Sequence, residues 1–318
     1  MRQITFQEAA LEALCEEFRR DEKTLYYGTG LNLPLRQEFG EARIRATPIS
    51  ESAFVGAAVG LAGSGFRPVV DIGMATFGFV AMDQMVNQAA KITYMFGGQA
   101  RFPIVLRMTV GTGGFLAAQH SISPYSLYMN TPGLKIMLPS TPHDMKGLLK
   151  TAIRDNNPVI SFEHRTLGAL KGPVPEEEYT IPLGQAEVKK EGTDVTVVAL
   201  AWMLHLALDV ASEMAREGIS LEVIDPRTLV PLDKETIRRS VAKTGRLVVV
   251  DEACVTCGAA AEIVSLVVED EATYKCLKSR PARVCGADVP IPFSPPMEAY
   301  VVPDKQKIMR AIREVMKS

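Results

Sequence analysis

The sequence predicts an α/β protein built from two parallel-sheet domains, and three features of the chain predict it. Short runs rich in Val, Ile and Leu recur from end to end, helix-like stretches lie between them, and the alternation is interrupted once, between 164 and 194. Near-continuous apolar strands separated by helices of about 10–15 residues are the pattern of parallel sheets covered on both faces. At 318 residues, with 47% hydrophobic and 23% charged residues, the chain is long for one core and has an ordinary globular composition.

Taken in order, "FQEAALEALCEEFRR" (6–20) reads as an acidic amphipathic helix and not as a signal sequence. Strands are expected at 24–28, 68–72, 103–108, 134–139 and 158–162, and helices near 51–64, 82–97 and 142–154. The last helix has the clearest start, with Thr141 as N-cap, Pro142 at the first helical position and Asp144 in the first turn. It stops at "RDNNP". Residues 164–194 hold prolines, glycines and a charge-rich patch without helical period, and read as a link. Beyond it, 195–201, 221–225, 247–253 and 282–286 read as strands, with helices at 204–217, 233–244, from Gly258 and at 304–317. The expected domains are 1–180 and 194–318, with 181–193 as linker.

A formal net charge of −2 leaves no basic surface for nucleic acid or an anionic membrane. No apolar run reaches spanning length, since 53–65 is too short and broken by glycines, so a cytoplasmic protein is expected. Of the five cysteines, "CVTC" (254–257) lacks the second pair a zinc site needs and lies deep in the chain rather than after a first strand. Buried thiols are the expectation.

Candidate chemistry is sparse. Within "TPISESAFVGAAVGLAGSGFRPVV" (47–70) the single carboxylate, Glu51, heads a long apolar run. It either sits in a first helical turn behind an N-cap Ser50, where the macrodipole favours an anion, or it is put to work. His120 follows the strand 103–108 in "TVGTGGFLAAQHSISP", and open α/β sheets bind ligands beyond the carboxyl ends of strands. His143 in a first helical turn, His164 after a strand and His205 at a helix start read as structural. "GTGG" (111–114) is a weak phosphate signal because no obvious helix follows. No Walker A or dinucleotide fingerprint occurs, and no residues have metal-ligand spacing.

The blocks "TPISESAF", "FGFVAMDQMVNQAAKITYMFGG", "AAQHS", "PGLKIMLPSTPHDMKGLLKTAIRDNNPVISFEH", "DPRTLVPLD" and "GADVPIPFSPPME" strongly resemble the β subunit of the thiamine-diphosphate-dependent decarboxylase component of 2-oxo acid dehydrogenase complexes, the acetoin and pyruvate types included. The resemblance spans essentially the whole chain. It implies a pyrimidine-binding domain followed by a transketolase C-terminal-type domain. It also implies that Glu51 hydrogen-bonds a ring nitrogen of the cofactor's aminopyrimidine and so helps generate the reactive nucleophile. Phe77 matches an aromatic stacked on that ring, and Ile49 an apolar neighbour of it. His120 matches a histidine at the channel mouth that aids acyl transfer to lipoamide. Ile104 with Ala152, Ile153, Asp155 and Asn157 matches a structural potassium site of mostly backbone oxygens. An α subunit would hold the diphosphate and its magnesium ion in a heterotetramer, and a lipoyl acyltransferase would take the product.

Two positions depart from the family pattern. Thr29 in "YYGTGLN" and Val80 before "MD" stand where acids are associated with proton communication between paired active sites, and the loop after Thr29 is short. Alternatives are the C-terminal half of a split transketolase and a degenerate, non-catalytic regulatory subunit. Retention of Glu51, Phe77 and His120 speaks against the second.

Overall fold

A computed structural model describes residues 2–30 and 32–317. The chain forms two compact units, one of residues up to Val110 with Leu127–Leu183, the other of Gly111–Ser126 with the chain from Gly184 onward.

The first unit contains β1 (Arg2–Thr5), β2 (Thr24–Gly28), β3 (Ile44–Ala46), β4 (Arg67–Met74), β5 (Val105–Val110), β6 (Lys135–Met137), β7 (Val159–His164) and β8 (Lys171–Val174). Within it, parallel strands lie in the order β6-β7-β5-β4-β2-β3. Val69, Val70, Leu106, Val159 and Ile160 are fully buried, as expected for strands covered on both faces. The helix Glu51–Gly63 buries Phe54, Val55, Ala58 and Ala62. The helix Phe6–Arg20 opens with a capping box between Thr5 and Glu8. It meets the helix Pro142–Arg154 through ion pairs of Glu16 with Lys146 (2.8 Å) and Lys150 (2.5 Å), and of Glu17 with Arg154 (2.6 Å). The expected N-cap is present, with Thr141 accepting from the Asp144 amide.

Three sequence expectations fail here. The stretch 82–97 is not one α-helix but a 3₁₀ turn Ala75–Ala81, a π-helical turn Asp83–Ala89 and a short helix Ile92–Met95. Local side chains favour the irregularity: Ser52 Oγ donates to the Val80 carbonyl (2.6 Å), and Asp83 accepts from Asn87 (2.8 Å). The presumed link 164–194 carries two strands. β8 pairs antiparallel with β1, and β9 (Glu187–Lys190) adds an antiparallel edge to the second sheet. Both pairings join segments distant in sequence, which local periodicity does not report. The cysteines are not buried: Cys254, Cys257 and Cys276 are exposed, and Cys15 and Cys285 are intermediate. "CVTC" spans the turn that follows the strand, fixed by Asp288 on the Thr256 amide (3.1 Å) and hydroxyl (2.6 Å).

Beyond β9, the second unit holds β10 (Val195–Ala199), β11 (Leu221–Asp225), β12 (Thr228–Val230), β13 (Leu247–Cys254) and β14 (Ala282–Gly286). Its sheet runs β14-β13-β10-β11-β9, parallel except for β9. The helices Met203–Arg216 and Lys305–Met316 close one core over it, with Leu204, Ala207, Val210, Ile308 and Ile312 fully buried.

Asp251, near the end of β13, is fully buried, and burial pushes its carboxyl from the ordinary 3.8 up to about 6. The folded chain therefore keeps a proton that the unfolded chain has lost between about pH 4 and pH 6. Its contribution to stability is fully present below about pH 4 and is lost as pH rises through about 6, a change on the order of 3 kcal/mol. Asp251→Asn should flatten this dependence. Thermal midpoints measured from pH 4.5 to 7.5 should show the variant gaining on the parent as pH rises; parallel curves would refute the assignment.

Candidate active site

Three loops leave the C-terminal ends of β3, β2 and β4, which are neighbours in the first sheet. After β2, Gly28 crosses so close to β4 that a Cβ would lie 2.0 Å from the Asp71 carbonyl oxygen. No other residue fits there. After β3, the Thr47 amide donates to the Gly28 carbonyl (2.8 Å), tying the "TPIS" loop to β2. After β4, the register with β5 shifts between Asp71 and Gly73, and Gly73 turns at φ +81°.

That shift brings Phe77 back over Gly73. Its ring carbons lie 3.5 and 3.6 Å from where a Gly73 Cβ would be, and Thr29 Oγ1 lies 3.8 Å from the same point. Asp71 holds the corner together: Oδ1 accepts from the Gly73 amide (3.0 Å) and Oδ2 from the Tyr26 hydroxyl (2.8 Å). Sequence reasoning passed over Asp71, although it is a lone carboxylate in the apolar strand "PVVDI", the same signal that marked Glu51.

Glu51 opens the helix Glu51–Gly63 and is 6% exposed. Ser50 occupies the N-cap position, but its side chain makes no capping bond. Its carbonyl receives the Ala53 and Phe54 amides instead. Among the described residues no hydrogen bond or ion pair reaches the Glu51 carboxylate. A first-turn location favours a negative charge, and with no protein donor the carboxylate is free to meet a ligand's donor. A ring nitrogen carrying or sharing a proton would be such a donor, and the flat face beside Gly73 and Phe77 would suit an aromatic ring. Ile49 stands 84% exposed just before the helix. A cavity of about 750 Å³ lies between this helix and β2–β3, lined by Tyr27, Phe54, Ala57 and Leu61 among others, but Glu51 and Phe77 are not in its walls.

His120 belongs to the second unit, in the loop Gly111–Ser126. It is half-buried, and its amide donates to the Ala117 carbonyl (3.3 Å). The "GTGG" amides do not form a phosphate cradle. Thr112 N donates to Glu252 (3.0 Å), Thr112 Oγ1 donates to the same carboxylate (2.5 Å), and Gly113 N donates to Glu298 (2.9 Å). Two carboxylates would repel an incoming phosphate, so the weak phosphate reading is withdrawn. The other histidines are placed as structure: His143 stacks on Tyr179 with centroids 4.6 Å apart, His164 Nδ1 accepts from the Thr166 amide (3.2 Å), and His205 packs on Trp202.

Ile104, Ala152, Ile153, Asp155 and Asn157 gather where the helix Pro142–Arg154 turns into β7. The Ile104 carbonyl receives the Val159 amide (2.8 Å), and Asp155 Oδ1 receives both the amide and the side-chain nitrogen of Asn157 (2.8 and 2.9 Å). Arg67 Nη1 donates to the Ile153 and Asp155 carbonyls (3.1 and 2.9 Å), and Lys135 pairs with the Asp155 carboxylate (2.5 Å).

Gly78, next to Phe77, is packed without slack: a Cβ there would sit 2.8 Å from Tyr128 Oη. Gly78→Ala should cost about 1–3 kcal/mol by overpacking, read as a lower thermal midpoint. Tyr128 Oη is buried without a partner, so Tyr128→Phe alone should cost nothing measurable, and in combination it should restore most of the loss. No rescue in the double variant would show that the contact is not what excludes a side chain at 78.

The profile of the transketolase pyrimidine-binding domain matches residues 2–170, and that of the transketolase C-terminal domain matches 184–308. The chain is 42% identical to the β subunit of acetoin:2,6-dichlorophenolindophenol oxidoreductase from Cupriavidus necator, over 99% of this chain and 98% of that protein. It is 40% identical to the pyruvate dehydrogenase E1 component β subunit of Bacillus subtilis, over 99% of each. Among solved structures, a split-gene transketolase described as an inactive β4 tetramer superimposes with a TM-score of 0.82 at 22% identity, over 99% of this chain and 98% of that one, and shares the fold. The chain belongs to the transketolase-like β subunits of the thiamine-diphosphate-dependent acetoin and 2-oxo acid dehydrogenases.

Proposed function

We propose that this chain supplies the pyrimidine half of a thiamine diphosphate site in a dehydrogenase acting on acetoin or a short 2-oxo acid such as pyruvate. An α subunit supplies the diphosphate and magnesium half in a heterotetramer, and a lipoyl acyltransferase receives the acyl group. The observation that carries the reading is Glu51, a buried carboxylate without a protein donor at a helix start beside the Phe77 segment. When bound, thiamine diphosphate supplies the carbon nucleophile and electron sink that this chemistry needs.

The residues of this chain do the rest. Glu51 would hold and return a proton at a carboxylate oxygen, the partner being a ring nitrogen of the cofactor. Phe77 would offer a flat apolar face to orient the ring, with Ile49 as a further apolar contact. Thr29 places a neutral hydroxyl beside Phe77 where related chains carry an acid, so proton coupling between paired sites should be weak. His120 would give a proton to the dithiolane sulfur that leaves as the other sulfur takes the acyl carbon and the S–S bond breaks. The occupied "GTGG" amides support assigning the diphosphate to the partner. The residues expected for a potassium ion do not fit one in this arrangement, because Arg67 already donates to the Ile153 and Asp155 carbonyls and Lys135 pairs with the Asp155 carboxylate.

Glu51→Gln in the assembled complex should keep the fold and lower decarboxylation or acetoin cleavage by about 10²–10⁴. Near-parental turnover on both substrates would return Glu51 to a role at the helix end. His120→Ala should lower acylation of a lipoyl domain by a far larger factor than it lowers turnover with an artificial electron acceptor. Equal losses in both assays, with a lowered thermal midpoint, would mean that His120 only braces its loop.

A further inference from the structure

The loop Gly111–Ser126 follows β5 of the first unit in sequence, yet it is built into the second. Its hydrogen bonds show how. Thr112 donates its amide and its hydroxyl to the two oxygens of Glu252, and Gly113 donates its amide to Glu298 Oε1. Glu252 lies near the end of β13 and Glu298 in the helix Pro295–Val301; they are 7% and 3% exposed. Buried carboxylates need donors, and hydrogen bonds to an ionised acceptor are roughly twice as strong as neutral ones.

The far end of the loop is fixed as well. Tyr125 is 1% exposed. Between these anchors Phe115 and Ala117 turn at φ +53° and +59°. Non-glycine residues hold that conformation where the surroundings impose it. Three residues after Ala117 comes His120, its amide on the Ala117 carbonyl.

We propose that Glu252 and Glu298 are positioning residues for His120. They hold the Thr112 and Gly113 amides, set the strained turn that follows, and through it fix where the imidazole stands. Neither carboxylate is assigned a contact with substrate or cofactor. The inference rests on the reading that His120 serves acyl transfer, and its test is arranged to separate the two.

The test uses the assembled complex carrying Glu252→Ala, Glu298→Ala or Glu298→Gln, each with and without His120→Ala. Hydrogen–deuterium exchange of amides 112–120 is measured first. Both alanine variants should speed exchange by about tenfold or more and lower kcat/KM for acylating a lipoyl domain by about tenfold, as loss of a charged hydrogen bond allows. Turnover with an artificial acceptor should stay within about twofold. In the His120→Ala background neither alanine should add a further loss, because residues acting through one group are not additive. Glu298→Gln keeps an acceptor oxygen and should recover most of the acylation.

Unchanged exchange in both alanine variants would overturn the clamp whatever His120 does. Faster exchange with losses that add to those of His120→Ala, or that strike both assays equally, would overturn the positioning role. Acylation undisturbed by His120→Ala alone would overturn the reading of His120 and the proposal with it, while the exchange data would still judge the clamp.

Discussion

Both oxygens of Asp71 are spent inside the first unit, one on the Gly73 amide and one on the Tyr26 hydroxyl, and the corner that carries Phe77 depends on those two bonds. The first fixes the point where β4 loses register with β5, so that the chain can turn at Gly73 and return Phe77 over it. The second ties β4 to β2, whose next residues bring Thr29 to the same spot. The charge is not left alone. Arg107, on the adjacent β5, pairs with Glu163 through two bonds of 2.7 Å, and its guanidinium also interacts electrostatically with Asp71. A half-buried carboxylate among polar partners of this kind adds little net stability, but removing one member leaves an uncompensated charge. Such a cluster specifies one arrangement of the strand ends, which is what a site assembled from three loops requires.

Much of this architecture was legible in the sequence, and the illegible parts share a physical cause. The central strands of both sheets could be read because burial on two faces leaves continuous apolar runs such as "PVVDI" and "VTVVALA". β3, with three residues, the antiparallel pair β1 and β8, and the antiparallel edge β9 are held by hydrogen bonds to segments that are not their neighbours in the chain, so composition hardly marks them. The exposed cysteines follow from the same limit: Asp288 fixes the "CVTC" turn in the open, and no spacing rule connects those two segments. Glu51 stood out because a lone charge in an apolar run demands an explanation. Asp71 carried the same mark and was absorbed into its strand.

The resemblance to known β subunits singled out what residue patterns could not, namely Phe77 and His120 as candidate site residues. The structure contributed the reason those positions hold. Phe77 is set by a glycine at a positive φ and by a second glycine against Tyr128. His120 ends a turn whose first amides are bonded to carboxylates. In each case the candidate residue is ordinary in its surroundings, and its neighbours are the unusual ones: two glycines without room for a side chain, two glutamates nearly out of water.

Glycine-rich loops expose backbone amides, and exposed amides seek anions. Whether the anion is a ligand or part of the protein decides what the loop does. In "GTGG" the anions are Glu252 and Glu298, both nearly out of water and both supplied by the chain itself. The loop therefore spends its anion-binding capacity on its own position, and a diphosphate would meet two negative charges where it needed donors. With the Thr112 and Gly113 donors taken by its own carboxylates, this loop has little left to offer a diphosphate, which agrees with a β subunit whose α partner carries that half of the proposed site.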